Sequence, residues 1–168
     1  MSSYDYGKEQ AARYMIERFE NRFSTCLDVG ACDGNWFNRL HDYFIMDAVE
    51  IFKPYIDYNC LEEKYRYVWN VDIADFQYDW YDLIIFGDVI EHMPVEKAQK
   101  VIEYAKPRCK NMIIAVPFLY KQDEMNGNKW EKHIQDDLTP ELFEIRYPGF
   151  QMIEQPVPSY AYYVKKED

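Results

Sequence analysis

The chain has 168 residues, a formal charge of −11, 48% hydrophobic and 18% aromatic residues, which fits one domain that buries about two thirds of its unfolded surface and excludes a disordered chain. The acid excess argues against a protein that grips phosphate backbones, since nucleic-acid binders carry a basic face, and Lys106-Pro107-Arg108-Cys109-Lys110 and Lys165-Lys166 are too short to act as basic arms. No apolar run reaches the roughly 20 residues of a membrane span, Met1 to Asp5 has no signal pattern, and the four cysteines form no C-x-x-C pair, so a cytoplasmic protein with reduced thiols is expected.

Gly7 to Phe23 sets Ala11, Ala12, Met15, Ile16, Phe19 and Phe23 at helical spacing, with charged residues mostly opposite, and predicts an amphipathic leading helix within residues 1–23. Cys26, Leu27 and Val29 predict a short buried strand. Gly30 and Gly34 then bend the chain into a helix from about Asn35, carried by Trp36, Phe37, Leu40, Tyr43 and Phe44. A strand, a glycine turn and a helix N-terminus form a seat for a nucleotide-like ligand, because glycine admits positive φ and close backbone approach.

Asp47 to Ile51 predicts a second strand, with Glu50 at its C-terminal end able to accept both hydroxyls of a ribose. Pro54 opens a helix through about Glu63. Arg66 to Val71 predicts a third strand running into Asp72-Ile73, and the apolar run Leu83-Ile84-Ile85-Phe86 a fourth that is buried on both faces. That strand delivers Gly87, Asp88, Glu91 and His92 to the edge where open α/β sheets bind ligands. Pro94 starts a helix with Val95, Ala98, Val101, Ile102 and Ala105 inward. Asn111 to Val116 predicts a fifth strand, Thr139-Pro140 a short capped helix, and Phe150 to Ile153 and Ala161 to Val164 the last two strands, joined through Pro156-Val157-Pro158.

In order and spacing, Asp28-Val29-Gly30-Ala31-Cys32-Asp33-Gly34, Glu50, Asp72-Ile73 and Asp88-Val89-Ile90-Glu91-His92-Met93-Pro94 resemble the motifs of class I S-adenosylmethionine-dependent methyltransferases of the small-molecule-like subgroup. The resemblance runs from about Thr25 to about Val116. It implies a single α/β domain over residues 1–168, a doubly wound, Rossmann-like, seven-stranded and mostly parallel sheet with a C-terminal antiparallel hairpin and helices on both faces. It also implies S-adenosylmethionine as cofactor, held by Asp28, Gly30, Gly34, Glu50, Asp72, Ile73, Gly87 and Asp88. Cys32 stands where the family carries the middle glycine, Asp75 competes with Asp72, and Asp28 has a second reading as a turn-stabilising carboxylate.

The polar stretch 118–138, with Asn126-Gly127-Asn128, Trp130 and His133, is long for an irregular loop in a compact domain and reads either as a substrate loop or as mobile surface. Trp130 and His133 are its candidates for acceptor binding. His92 and His133 are the candidate general bases, with a structural role for His92 as the alternative, and His41 reads as a surface residue. In related enzymes a leading helix covers the site, so Tyr4, Tyr6 and Tyr14 are lid candidates or ordinary packing aromatics. No metal-ligand spacing appears in the sequence. The expected function is methyl transfer to a small-molecule or metabolite acceptor. The alternatives are a protein or nucleic-acid methyltransferase and a non-catalytic, cofactor-binding partner subunit, with the oligomeric state open.

Overall fold

The computed structural model describes residues 5–21 and 23–166. Its sheet comprises β1 (Thr25–Val29), β2 (Ile45–Val49), β3 (Val68–Trp69), β4 (Tyr81–Gly87), β5 (Cys109–Pro117), β6 (Phe150–Val157) and β7 (Tyr160–Lys165). The strand order is β3-β2-β1-β4-β5-β7-β6. The pairings from β3 across to β5 are parallel, and β7 runs antiparallel to both β5 and β6. Strand order reverses between β1 and β4, and in open α/β sheets that switch point opens a crevice at the carboxyl ends of the strands.

Strand alternation divides the interior into two cores. Leu83, Ile85 and Ile113 join Met15 of α1 (Lys8–Phe19), Trp36 and Leu40 of α2 (Asn35–Leu40), Ile56 of α3 (Lys53–Tyr58) and Leu61 of α4 (Leu61–Lys64) on one face. Ile84, Phe86 and Ile114 point the other way, onto Ala98, Val101 and Ile102 of α5 (Val95–Ala105) and Phe143 of α6 (Pro140–Arg146). Because both faces are covered, β4 has to be apolar at nearly every position, and its sequence is. Thr139 caps α6 by accepting the Leu142 N–H at 3.2 Å, as the Thr-Pro pair predicts.

Several element boundaries differ from the sequence reading; β2 begins and ends two residues earlier than Asp47 to Ile51, and α2 stops at Leu40, short of Tyr43 and Phe44. α1 stops at Phe19, where Glu20 turns extended at ψ 132°. The helix expected through Glu63 breaks into α3 and α4 because Cys60 sits in the left-handed region at φ +51°. β3 shrinks to its two ladder residues, since Asn70 uses its side-chain amide to cross to the Glu50 and Ile51 carbonyls at 2.8 and 2.9 Å. β6 runs through Pro156 to Val157 where a connection was expected. It is an edge strand with register shifts between Met152 and Val157, and there a proline costs no ladder bond.

Candidate active site

At the carboxyl edge of the sheet, between the β1 and β4 turns and the loop 118–138, lies a cleft of about 540 Å³. Gly30, Glu50, Asp72, Ile73, Gly87, Asp88, His92, Trp130 and His133 all line it. Asp28 and Gly34 do not. Asp28 is fully buried and accepts the Tyr65 hydroxyl at 2.6 Å. Gly34 faces Lys64 and Leu61 at the start of α2.

The glycine turn is shaped by contact. Gly30 takes φ +71°, and a Cβ there would sit 2.7 Å from Val89 Cγ2. Gly87 lies against the Trp36 indole, whose Nε1 a Cβ would meet at 2.4 Å. Cys32 adopts φ +48°, the conformation that a glycine would take without strain. It is held there at both ends of its peptide: its N–H donates to Glu50 Oε2 at 3.0 Å, and its carbonyl accepts from Asn59 Nδ2 at 2.9 Å.

Glu50 is only 4% exposed, and burial raises the pKa of its carboxyl. Its second oxygen accepts the Phe52 N–H at 2.8 Å. Each oxygen thus takes one backbone donor and keeps further acceptor capacity. Asp72 binds Lys97 Nζ at 2.6 Å and the Ala74 N–H at 2.9 Å, so its carboxylate is fixed at the cleft wall beside Ile73. Asp75, the competing acid, is exposed and outside the lining. Asp88, at φ +57°, accepts from Tyr160 of β7 at 2.7 Å.

The loop 118–138 is not loose surface. Ile134 and Gln135 donate their N–H groups to the Glu91 carbonyl at 2.8 and 3.0 Å, and the Gln135 side chain donates to the carbonyls of Ile90 and Met93. Its acceptor oxygen receives Tyr147 and Arg146 of the α6 end. Gln135 is therefore the buckle between loop, strand-four turn and last helix, a role the sequence reading missed. Only its neighbours in the fold reveal it.

His92 and His133 meet edge to face, ring centroids 4.7 Å apart. Each gives its Nδ1 proton to a main-chain carbonyl, Lys132 at 3.2 Å and Tyr120 at 2.8 Å, which leaves Nε2 as an acceptor on both. Burial and the facing His133 push His92 down to about 4, and burial also lowers His133. Between them and the β4 edge, Glu91 is wholly buried. Burial, with Asp88 nearby, raises its pKa far above the carboxylate range.

The leading helix packs on the other core and contributes nothing to the lining. Tyr14 sits against Phe19 in that core, Tyr6 is exposed, and Tyr4 lies outside the described residues. Instead α1 contributes Lys8, fully buried over the Trp36 ring at 5.0 Å and within the field of Asp28, Asp33 and Asp88 behind the cleft floor. His41 is half-exposed and stacked on Phe37, as expected of a surface residue. The four cysteines are free. Among the described residues no helix is long and apolar enough to cross a membrane.

A sheet in this order, with one antiparallel strand inserted beside β5 and a cleft at the β1/β4 switch point, is the fold of the class I S-adenosylmethionine-dependent methyltransferases. Among solved structures the chain is similar to an S-adenosylmethionine-dependent methyltransferase from Clostridium acetobutylicum, at TM-score 0.71 and 12% identity, covering 97% of this chain and 92% of that one. It is also similar to an N-methyltransferase from Bradyrhizobium japonicum, at TM-score 0.65 and 12% identity over 95% of each chain. A third similar structure is the 1,6-didemethyltoxoflavin-N1-methyltransferase from Burkholderia thailandensis, solved with its acceptor and S-adenosylhomocysteine, at TM-score 0.64 and 15% identity over 96% and 77%. No protein-family model and no curated protein sequence matches the chain. At these identities the likeness is one of fold.

Proposed function

We propose that the protein transfers a methyl group from S-adenosylmethionine to a small-molecule acceptor. The observation that carries this reading is Glu50: a buried carboxylate at the end of β2, held by the N–H groups of Cys32 and Phe52 and still bordering the cleft together with Gly30. The residues present fit such a cofactor. Gly30, at φ +71° and packed against Val89, brings bare backbone to the cleft, and the acids of the lining suit a ligand bearing a sulfonium and an ammonium.

In this reading Glu50 accepts from the ribose hydroxyls, Asp72 from the adenine amino group, and Ile73 packs on the ring. Gly30, Gly87 and Asp88 bound the methionine end. When bound, the cofactor supplies an activated methyl group for in-line displacement. The chain has to hold the acceptor near it and exclude water. Trp130, His92 and His133 form the acceptor side, with the docked loop closing it from solvent.

Calorimetric titration with S-adenosylmethionine and S-adenosylhomocysteine tests this. The wild-type chain is expected to bind both, and Glu50→Ala to weaken binding by about tenfold or more, as loss of a charged hydrogen-bond acceptor implies. A wild-type chain that binds neither overturns the reading.

A further inference from the structure

We infer that Glu91, His92 and His133 form a binding site for one divalent first-row transition-metal ion such as Zn2+, Mn2+ or Co2+. One ligand atom from each of the three lies within 4.8 Å of the others, and all three residues line the cleft. Both oxygens of the Glu91 carboxylate are buried without a hydrogen-bond partner, although the residue is 0% exposed. That is a rare condition for a carboxyl group, and it calls for a ligand.

A proton resolves only half of it. Even if a protonated Glu91 Oε1 closed the 4.0 Å gap to His92 Nε2, the other oxygen would stay buried without a partner. A cation satisfies the whole cluster at once. The two imidazoles are already set as ligands: each Nδ1–H is spent on a main-chain carbonyl, the usual outer partner of a metal-binding histidine, and Nε2 carries the lone pair. Metal bonds of about 2.0 to 2.2 Å require the three donor atoms to draw inward by roughly 1 Å, within the reach of side-chain torsions.

The donor set selects the ion. Two imidazoles and one carboxylate suit first-row transition ions with open positions, whereas Mg2+ and Ca2+ favour oxygen alone. With three protein ligands on the cleft wall, the remaining positions face the cleft and take an oxygen of water or of the acceptor. The binding itself is independent of the methyl-transfer reading; only its use on an acceptor rests on that reading.

The test is titration of the chelator-treated full chain with Zn2+, followed through the histidine ring resonances, with Co2+ absorption as the count of bound ions. The expected result is one ion per chain, with the His92 and His133 signals shifting together while His41, on the protein surface, stays in place. Glu91→Gln and His133→Gln are expected to weaken Co2+ binding at least about tenfold while circular dichroism stays native. If either variant fails to fold, the wild-type resonances decide alone. Histidine signals that do not move, or Co2+ binding unchanged in folded variants, overturn the site. Because Zn2+ and Co2+ binding is read without cofactor, its failure and a failure to bind S-adenosylmethionine are separate results.

Discussion

Asp28 holds its place beneath the glycine turn at the expense of easy ionisation. Burial pushes its pKa up to about 7, against the opposing effects of the Tyr65 hydroxyl and of Lys8, with Glu50 and Asp33 adding to the rise. The ordinary value is 3.8. Between the two the folded chain keeps a proton that the unfolded chain has released, so stability is fullest below about 4 and is lost as pH rises toward 7. Asp28→Asn keeps the acceptor for Tyr65 and removes the titration. A plot of urea midpoint against pH is expected to flatten across that window in the variant; an unchanged slope would assign the dependence to another group.

Cys32 poses the opposite question, a side chain where the backbone asks for none. Its φ of +48° costs a non-glycine residue about 1 kcal/mol or more, and the Glu50 and Asn59 hydrogen bonds keep it there. Cys32→Val, β-branched at positive φ, is expected to destabilise the chain by roughly 1 to 3 kcal/mol. Cys32→Gly is expected to fold normally and to bind S-adenosylmethionine at least as tightly as the parent. Chemical denaturation and calorimetry on the pair separate backbone strain from lost ligand contact.

At the scale of elements, the loop 118–138 behaves as part of the sheet edge because Gln135 ties it down. Removing that side chain strands the Ile90 and Met93 carbonyls and the Tyr147 hydroxyl in a buried place. Gln135→Ala is accordingly expected to cost about 2 to 4 kcal/mol, and amide exchange at Ile134 and Gln135 should rise before any exchange within β4 or β5 does. Equal acceleration throughout would mean that the loop and the sheet open together. None of this is visible in the sequence, where the stretch shows only polarity and length.

The strands and α5 were legible because their apolar spacing is local and nearly pure, and Glu50 and Asp72 because they sit a fixed step beyond a strand. What the sequence hides is contact between distant residues. His92 and His133 meet only after the loop folds back, Tyr65 reaches Asp28 from a helix end, and Lys8 crosses from α1 to the rear of the cleft. Local signals also fail where one residue overrides a pattern, as Cys60 does in splitting α3 from α4 and the edge position does in admitting Pro156 to β6.

For the molecule as a whole, the charge of −11 is a field as well as a composition. Glu50, Asp72, Asp88, Glu124 and Glu131 line the cleft against Lys97, Lys129 and Lys132, and Lys97 is already bound to Asp72. A low-dielectric cleft lined mainly by one sign of charge concentrates ligands of the other sign. S-adenosylmethionine carries a net positive charge through its sulfonium, and S-adenosylhomocysteine carries none, although the two match in shape nearly everywhere else. The field therefore acts on one of the pair and is blind to the other. Raising salt from ~0.1 M to ~1 M shortens the screening length from about 10 Å to about 3 Å, which removes the long-range part and leaves direct contacts. Affinity for S-adenosylmethionine is expected to fall over that range while affinity for S-adenosylhomocysteine holds nearly constant, measured as paired titrations in each buffer. If the chain performs the proposed methyl transfer, the demethylated product leaves the field that drew the donor in, and turnover itself lowers the hold on the spent cofactor. Parallel decline of the two affinities would instead place the selectivity in hydrogen bonds alone.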